Sequence, residues 1–217
     1  MQTAGRGRRG RSWSTESGNL AATLLTTTRR PAAEAAQVSF VTALAVADLA
    51  ARHVPEALVR LKWPNDVLVA GDKVSGVLIE SGPAIGGGLW LAIGVGVNLA
   101  HAPSGTERPA TALAHHLSAD RSAAPTPEEA VAGLAESFAR WAAVWDTGGF
   151  PAVADAWSAR ADFGRPVLAR LPAETVEGVA EALEPDGALR LRLPDGAVRR
   201  ITAGDVFPLT ARSASVA

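Results

Sequence analysis

The sequence predicts an α+β protein, with a mixed or antiparallel sheet packed against helices and a small C-terminal β-barrel behind it. Three observations carry that expectation. Residues 20–99 combine one long Ala-rich helical stretch with several apolar runs of strand character. Residues 125–161 return to helical spacing, and after Phe163 come short strand-like segments separated by Gly-containing turns. The 217 residues suffice for one domain or two small ones, and 47% hydrophobic against 20% charged residues is an ordinary globular balance. The domain expectation is a main unit over 1–163 and a barrel over 164–217.

The first element is a loop. Gly5-Arg6-Gly7-Arg8-Arg9-Gly10-Arg11 is all arginine and glycine in a chain of formal net charge −1. Arginine offers a rigid fork of donors for carboxylate and phosphate oxygens, and glycine lets a backbone turn sharply beside a ligand. The segment is built to hold an anion. A basic tail or a nucleic-acid arm is the rival reading. The Gly5-x-Gly7-x-x-Gly10 spacing also fits a dinucleotide fingerprint, but a strand rather than a helix follows it. A Walker-type phosphate loop fails for want of Gly-Lys-Ser/Thr.

Leu20 to Thr28 reads as a buried strand, ended by Arg29-Arg30-Pro31. Ala32 to His53 reads as a helix with Val38, Val41, Leu44, Ala45, Asp48 and Leu49 on one face. Leu58–Lys62, Val67–Ala70, Lys73–Ser81 and Leu89–Leu99 form a β-meander with a rigid corner at Trp63-Pro64-Asn65-Asp66. Gly82 to Gly88 is a loose connection. Gly94 and Gly96 inside the last strand mark close approach by a ligand or another backbone. His101 to Pro109 is a polar loop suited to a lid, and Ala110 to Leu117 a short helix.

His115 and His116 are neighbours, so they do not share a helix face as metal ligands would, and no metal site is expected. Pro125 to Trp145 is an amphipathic helix, with Thr126 as N-cap, Pro127 at the first position and Glu128-Glu129 in the first turn. Phe138, Trp141 and Trp145 read as core, and Val153 to Ala161 as a further short helix. Strands over 166–171, 176–183, 188–193, 198–202 and 206–209 complete the barrel.

Composition sharpens the functional reading. Cysteine is absent, which removes disulfides, thiolate metal sites and a cysteine nucleophile. No apolar run is read as membrane-spanning and the Arg-rich start lacks a signal peptide's apolar segment, so a soluble cytoplasmic protein with no membrane partner is expected. Lysine occurs only as Lys62 and Lys73, and asparagine only as Asn19, Asn65 and Asn98. In a chain so biased to arginine, those lysines mark positions that need a compact, titratable ammonium.

Taken in order, Gln2 to Trp13, Ser17-Gly18-Asn19-Leu20, Lys62-Trp63-Pro64-Asn65-Asp66, Lys73 to Glu80 and Gly94-Val95-Gly96-Val97-Asn98-Leu99 resemble the biotin protein ligase family. The segment ending in Gly204-Asp205-Val206 is similar to that family's C-terminal barrel, so the resemblance spans essentially the whole chain. It implies a class II synthetase-like catalytic domain with an SH3-like barrel. It also implies a two-step reaction: biotin and ATP give biotinyl-5'-AMP, and biotin then passes to a lysine of a biotin carboxyl carrier protein domain, with Mg²⁺ alongside the ATP.

By the same resemblance, Gln2, Gly5, Arg6, Gly7, Arg8, Arg11 and Trp13 form the biotin and adenylate loop, Gly76 is a further binding residue, and Asn98 with the strand glycines Gly94 and Gly96 is part of the adenylate wall. Lys73 contacts the biotin carboxylate and the α-phosphate, and Arg8 assists. Asp66 is a base or orienter for the acceptor lysine, and Lys62 neutralises phosphate. The loops at Arg8–Arg11 and His101–Pro109 gate the site.

Two departures are visible. The family carries a Ser-Thr-Asn segment upstream of the Arg/Gly loop, whereas here Met1 directly precedes Gln2, so a catalytic domain without that N-terminal part is expected. The winged helix-turn-helix of repressor-type members is not present either, so no DNA partner is expected; a homodimer is compatible. The alternatives are a lipoate or octanoyl ligase-type acyltransferase, which shares the fold, and a catalytically impaired relative that binds the carrier domain.

Overall fold

The computed structural model describes residues 2, 4–11, 13–106 and 108–209. Thr3 and Ser12 of the Arg/Gly motif and Glu107 of the expected lid therefore lie outside the described residues. Among the described residues, ten strands form two sheets. The first contains β1 (Leu20–Thr28), β2 (Val59–Lys62), β3 (Asp66–Val69), β4 (Asp72–Pro83) and β5 (Leu89–Val97), in the order β1-β5-β4-β3-β2. Every neighbouring pair is antiparallel. The order follows from the connections, since β2 to β5 form successive hairpins and β1 closes on the last of them.

Two short turns set this register. Trp63 and Pro64 are joined by a cis peptide, which folds the corner so that Lys62 lies opposite Asp66. Ala70 and Gly71 both take positive φ, 53° and 91°, turning β3 tightly into β4. The connection expected over Gly82–Gly88 is shorter at its start: β4 continues to Pro83, and residues 84–88 link it to β5.

The expected helix over Ala32–His53 is two pieces, α1 (Ala32–Ala35) and α2 (Val38–Ala51). At the join, the amides of Gln37, Ser39 and Phe40 bond to carbonyls three residues back, which tightens the chain for one turn. Nor does α2 bury a single face. It lies between the first sheet and α3 (Pro127–Ser158), and its alanines at 43, 45, 47 and 50 are buried alongside Leu44 and Leu49. By length and composition the stretch Ala32–Ala51 would pass as a membrane span, contrary to the sequence expectation, but it sits in the protein core. Asp48, on its rim, accepts from Arg140, Trp141 and Arg160 and ties α2 to α3.

Thr126 caps α3 as expected. Its hydroxyl accepts from the Glu129 amide at 3.2 Å while Glu129 accepts from the Thr126 amide at 2.8 Å. The helix runs past Trp145 and merges with the second predicted one across Gly149, whose φ of 69° makes the kink there. Trp145 is buried; Phe138 and Trp141 are partly buried against the core.

The second sheet holds β6 (Pro166–Arg170), β7 (Thr175–Leu183), β8 (Leu189–Arg192), β9 (Val198–Ile201) and β10 (Asp205–Pro208), in the order β10-β6-β7-β8-β9, again antiparallel. One apolar cluster runs from Leu44 through Trp63 and Trp157 to Val167, Leu189 and Val206, so the second sheet is packed onto the first unit. Trp63 donates its indole hydrogen to the Gly187 carbonyl at 2.9 Å, fastening the corner to the second sheet.

Candidate active site

The cleft is organised by Asp66, the first residue of β3, which is 3% exposed. Lys62 and Lys73 approach separate oxygens of its carboxylate, each at 2.6 Å, and Arg108 reaches the Lys62-bound oxygen at 2.7 Å. Antiparallel pairing explains the first contact, because Lys62 and Asp66 are register partners across the corner. The β3–β4 register places Asp66 opposite Gly76, while a shift at Val67/Leu68 brings Lys73 alongside. Burial by itself would raise the Asp66 pKa; Lys62, then Lys73 and Arg108, overcome it and hold the carboxyl well below the usual range. The Lys62 ammonium is pushed down to about 8, chiefly by burial, with Asp66 opposing the shift.

Lys73 and Lys62 face different ways. Lys73 lies 5.6 Å from the centre of the Trp13 ring and borders the cleft. Lys62 points behind Asp66, donating to the Val206 carbonyl at 3.1 Å. It does not line the cleft, so the residue expected to neutralise phosphate is placed behind Asp66, with which it pairs.

The Arg/Gly loop closes over this floor. The amide of Trp13 bonds to the Gly5 carbonyl at 2.9 Å, and that of Gly7 to the Arg11 carbonyl at 2.6 Å. A Cβ on Gly5 would lie 2.2 Å from the Trp13 carbonyl oxygen, so Gly5 serves the neck of the loop and, against expectation, does not line the cleft. Trp13 packs on the sheet over Gly96 and Gly76. Gly76 and Gly96 are cross-strand partners on β4 and β5, and a Cβ on Gly96 would come within 2.3 Å of the indole. Gly94 meets only ordinary contacts from Leu78. The close approach expected of both strand glycines holds for Gly96, and the neighbour is the protein's own tryptophan.

The second half of the loop is held by the second sheet. Arg11 pairs with Asp205 at 2.8 Å, and Arg8 lies 3.6 Å from the same carboxylate while also donating to Asn65 and to the Gly204 carbonyl. Burial would raise Asp205; Arg11, then Arg8 and Arg108, lower it below the usual carboxylate range. Arg6 reaches outward to Glu80 at 3.6 Å, with both side chains exposed. Gln2 accepts a hydrogen bond from Thr15.

Two of the three asparagines hold the walls. Asn19 accepts from the amides of Leu99, Ala100 and His101, fixing the chain as it leaves β5. Asn98, 1% exposed, donates to the Thr111 carbonyl, while its side-chain oxygen has no partner among the described residues. Thr111 in turn bonds both histidines, His116 at 2.8 Å and His115 at 3.5 Å.

The resulting cavity is about 1220 Å³, and every expected site residue except Gly5 and Lys62 lines it: Gln2, Arg6, Gly7, Arg8, Arg11, Trp13, Asp66, Lys73, Gly76 and Asn98. Two groups escaped the sequence reading, Arg108 and Asp205. Asp205 was visible as part of Gly204-Asp205-Val206, but its ion pair with Arg11 spans 194 positions and no local pattern announces it. Arg108 carried no signal beyond lying in a polar loop.

Comparison with known proteins gives the class first. Residues 1–98 match the Biotin/lipoate A/B protein ligase family and residues 162–207 match the Biotin protein ligase C terminal domain, so a ligase-type catalytic part precedes its own kind of terminal domain. The chain is 44% identical to a biotin–[acetyl-CoA-carboxylase] ligase from Paracoccus denitrificans over 95% of its length and 87% of that protein. It is 32% identical to the one from Mycobacterium tuberculosis, over 96% and 76% of the two chains. The chain belongs to the biotin protein ligase family. Its fold matches a biotin protein ligase from Aquifex aeolicus in complex with biotin and ATP, with a TM-score of 0.76, 24% identity, and coverage of 95% and 84%.

Proposed function

We propose that this protein is an ATP-dependent biotin protein ligase that makes biotinyl-5'-AMP and transfers biotin to a lysine of a biotin carboxyl carrier protein domain. The observation that carries the reading is Lys73, presented to the cleft over Trp13 and held by Asp66, with Arg8 and Arg11 in the loop above. In the first step, the biotin carboxylate attacks the α-phosphorus of ATP and pyrophosphate leaves. Two anions must be brought together, and fixed positive charge lowers that barrier most where negative charge accumulates. Lys73 bridges the carboxylate and the α-phosphate. In the second step, the acceptor amine attacks the acyl carbon and AMP leaves.

Of the two roles expected for Asp66 toward the acceptor lysine, base and orienter, the ion pairs argue against the base. A carboxylate held by three cations, with its pKa well below the usual range, is a weak base but a firm anchor for Lys73. The Arg/Gly loop and the His101–Pro109 loop shield the reactive acyl-adenylate from water. Asn98 and the Gly76–Gly96 floor form the wall of the adenylate pocket. Among the described residues no cluster of His, Asp or Glu is arranged to hold a metal, and Asp66 and Asp205 are both engaged by cations. Mg²⁺ belongs to this reading as the companion of ATP, where it would neutralise phosphate charge.

The division at residues 163 and 164 and a closed, SH3-like barrel for the second sheet are part of the same reading. Five short antiparallel strands, with β10 returning beside β6, support it. So does the start of the C-terminal domain match at residue 162. The proposed setting is the cytoplasm, where the carrier protein and ATP are found together, with no DNA or membrane partner and with a homodimer as an allowed state.

The test is transfer itself. The protein is incubated with biotin, ATP, Mg²⁺ and a carrier domain, and the acceptor lysine is read by mass spectrometry. Biotinylation that needs ATP and is not matched when lipoate or octanoate replaces biotin supports the assignment. No modification with biotin, or equal modification with lipoate, overturns it.

A further inference from the structure

Arg108 belongs to no motif of the sequence, yet it reaches the centre of the site. We propose that Arg108 is a further residue of the ATP site, binding the polyphosphate of the nucleotide rather than the biotin carboxylate; the inference rests on the ligase reading above.

The first support is position. One guanidinium nitrogen, Nη1, donates to Asp66, and the guanidinium carbon stacks 4.1 Å from the centre of the Phe207 ring. Immediately after Arg108 the chain is stitched to β4: Lys73 donates its amide to the Pro109 carbonyl at 3.1 Å, and Thr111 donates to the Lys73 carbonyl at 2.9 Å. Arg108 is therefore fixed relative to Lys73, and the two cations occupy different oxygens of one carboxylate at the edge of one cleft.

The second is unfinished hydrogen bonding. Nε and Nη2 of Arg108 are shielded from solvent and have no hydrogen-bond partner among the described residues. Buried donors of a charged group are rarely left unpaired, and each such case calls for an explanation, of which a role in binding or catalysis is one. Arginine's fork suits this arrangement, since Nη1 is held on Asp66 while Nε and Nη2 remain as two unused donors that a small shift of the side chain would offer to an anion entering the cleft.

The third is charge. Lys62, Lys73 and Arg108 converge on the single carboxylate of Asp66, leaving that cluster with a surplus of positive charge. Lys62 is turned to the Val206 carbonyl behind the site, so the surplus faces the cleft through Lys73 and Arg108. A group of several negative charges answers it better than one carboxylate, which points to the triphosphate.

The test separates binding from turnover. Inorganic pyrophosphate, AMP and biotin are titrated calorimetrically into the parent protein, Arg108→Gln and Arg108→Lys, with thermal melts as the fold control. The expected result is a loss of pyrophosphate affinity of about tenfold or more in Arg108→Gln, equivalent to about 1.4 kcal/mol. Arg108→Lys, which keeps the charge without the fork, falls between the two, and biotin affinity stays within about twofold throughout. If Arg108→Gln does not fold, the loss in Arg108→Lys decides. Pyrophosphate affinity unchanged in the folded variants, or biotin affinity lost in parallel, overturns the assignment. Failure of the ligase reading is seen separately, as absence of biotin-dependent ATP–pyrophosphate exchange in the parent.

Discussion

Replacing Asp66 by Asn tests the organisation of the site more sharply than any other single change. The side chains have nearly the same shape, so no cavity forms, and what is lost is one negative charge that is 3% exposed. Lys62, Lys73 and Arg108 then face each other across a neutral amide whose NH₂ group cannot accept from any of them. Breaking a buried pair by removing one partner costs about 3–5 kcal/mol, because the other charge stays buried without compensation. For a chain of this size that lowers Tm by about 6–20 °C, measured by calorimetry at pH 7. Lys62 is the charge left most exposed to this cost, so Lys62→Met on the Asp66→Asn background should recover part of the loss. An Asp66→Asn protein within about 1 °C of the parent, or a double variant whose loss equals the sum of the singles, would refute the reasoning.

Three further outcomes are expected. The Lys62 pKa is lowered from 10.5 to about 8 in the folded protein, so between those values the unfolded chain binds more protons and stability rises with pH. The Tm difference between the parent and Lys62→Met should accordingly shift in the parent's favour from about pH 8 to pH 10.5 in paired melts; a flat difference contradicts the burial of Lys62. Asp205→Ala removes the carboxylate that holds Arg11 and Arg8, and should raise the KM for ATP by about tenfold, the scale of one charge-assisted hydrogen bond, with less effect on Tm than Asp66→Asn. Gly96→Ala places a methyl group where the Trp13 indole now lies, so Trp13 should leave the sheet; a red-shifted fluorescence component together with weakened biotin binding is the expected signature, and an unchanged spectrum contradicts the packing.

The sequence made the main sheet legible because its strands are joined by turns with strong local chemistry. Trp63-Pro64-Asn65-Asp66 and Ala70-Gly71 fix hairpins whose register then delivers Lys62 and Asp66 to one point. The Thr126 cap was readable for the same reason, being local. Burial was less readable. The three-and-four spacing of α2 suggested one apolar face, but the covering of its other side by α3 depends on packing between distant segments. The same limit explains the site. Arg and Lys positions within motifs were found, whereas Arg108 on Asp66 and Asp205 on Arg11 are set by how a loop and a second sheet return to the cleft. The direction of Lys62, towards Val206 and away from the cavity, was likewise a property of the assembled fold.

The central claim is that Lys73, held on Asp66 beneath the Arg/Gly loop, bonds to the reacting groups as biotin is activated. Biotin-dependent ATP–pyrophosphate exchange, measured side by side for the parent and Lys73→Ala, tests it most directly. The account predicts exchange by the parent that requires biotin and a fall of about tenfold or more in the variant, the scale expected when one charge-assisted hydrogen bond to the transition state is removed. No exchange by the parent, or a variant within about twofold of it, would contradict the account.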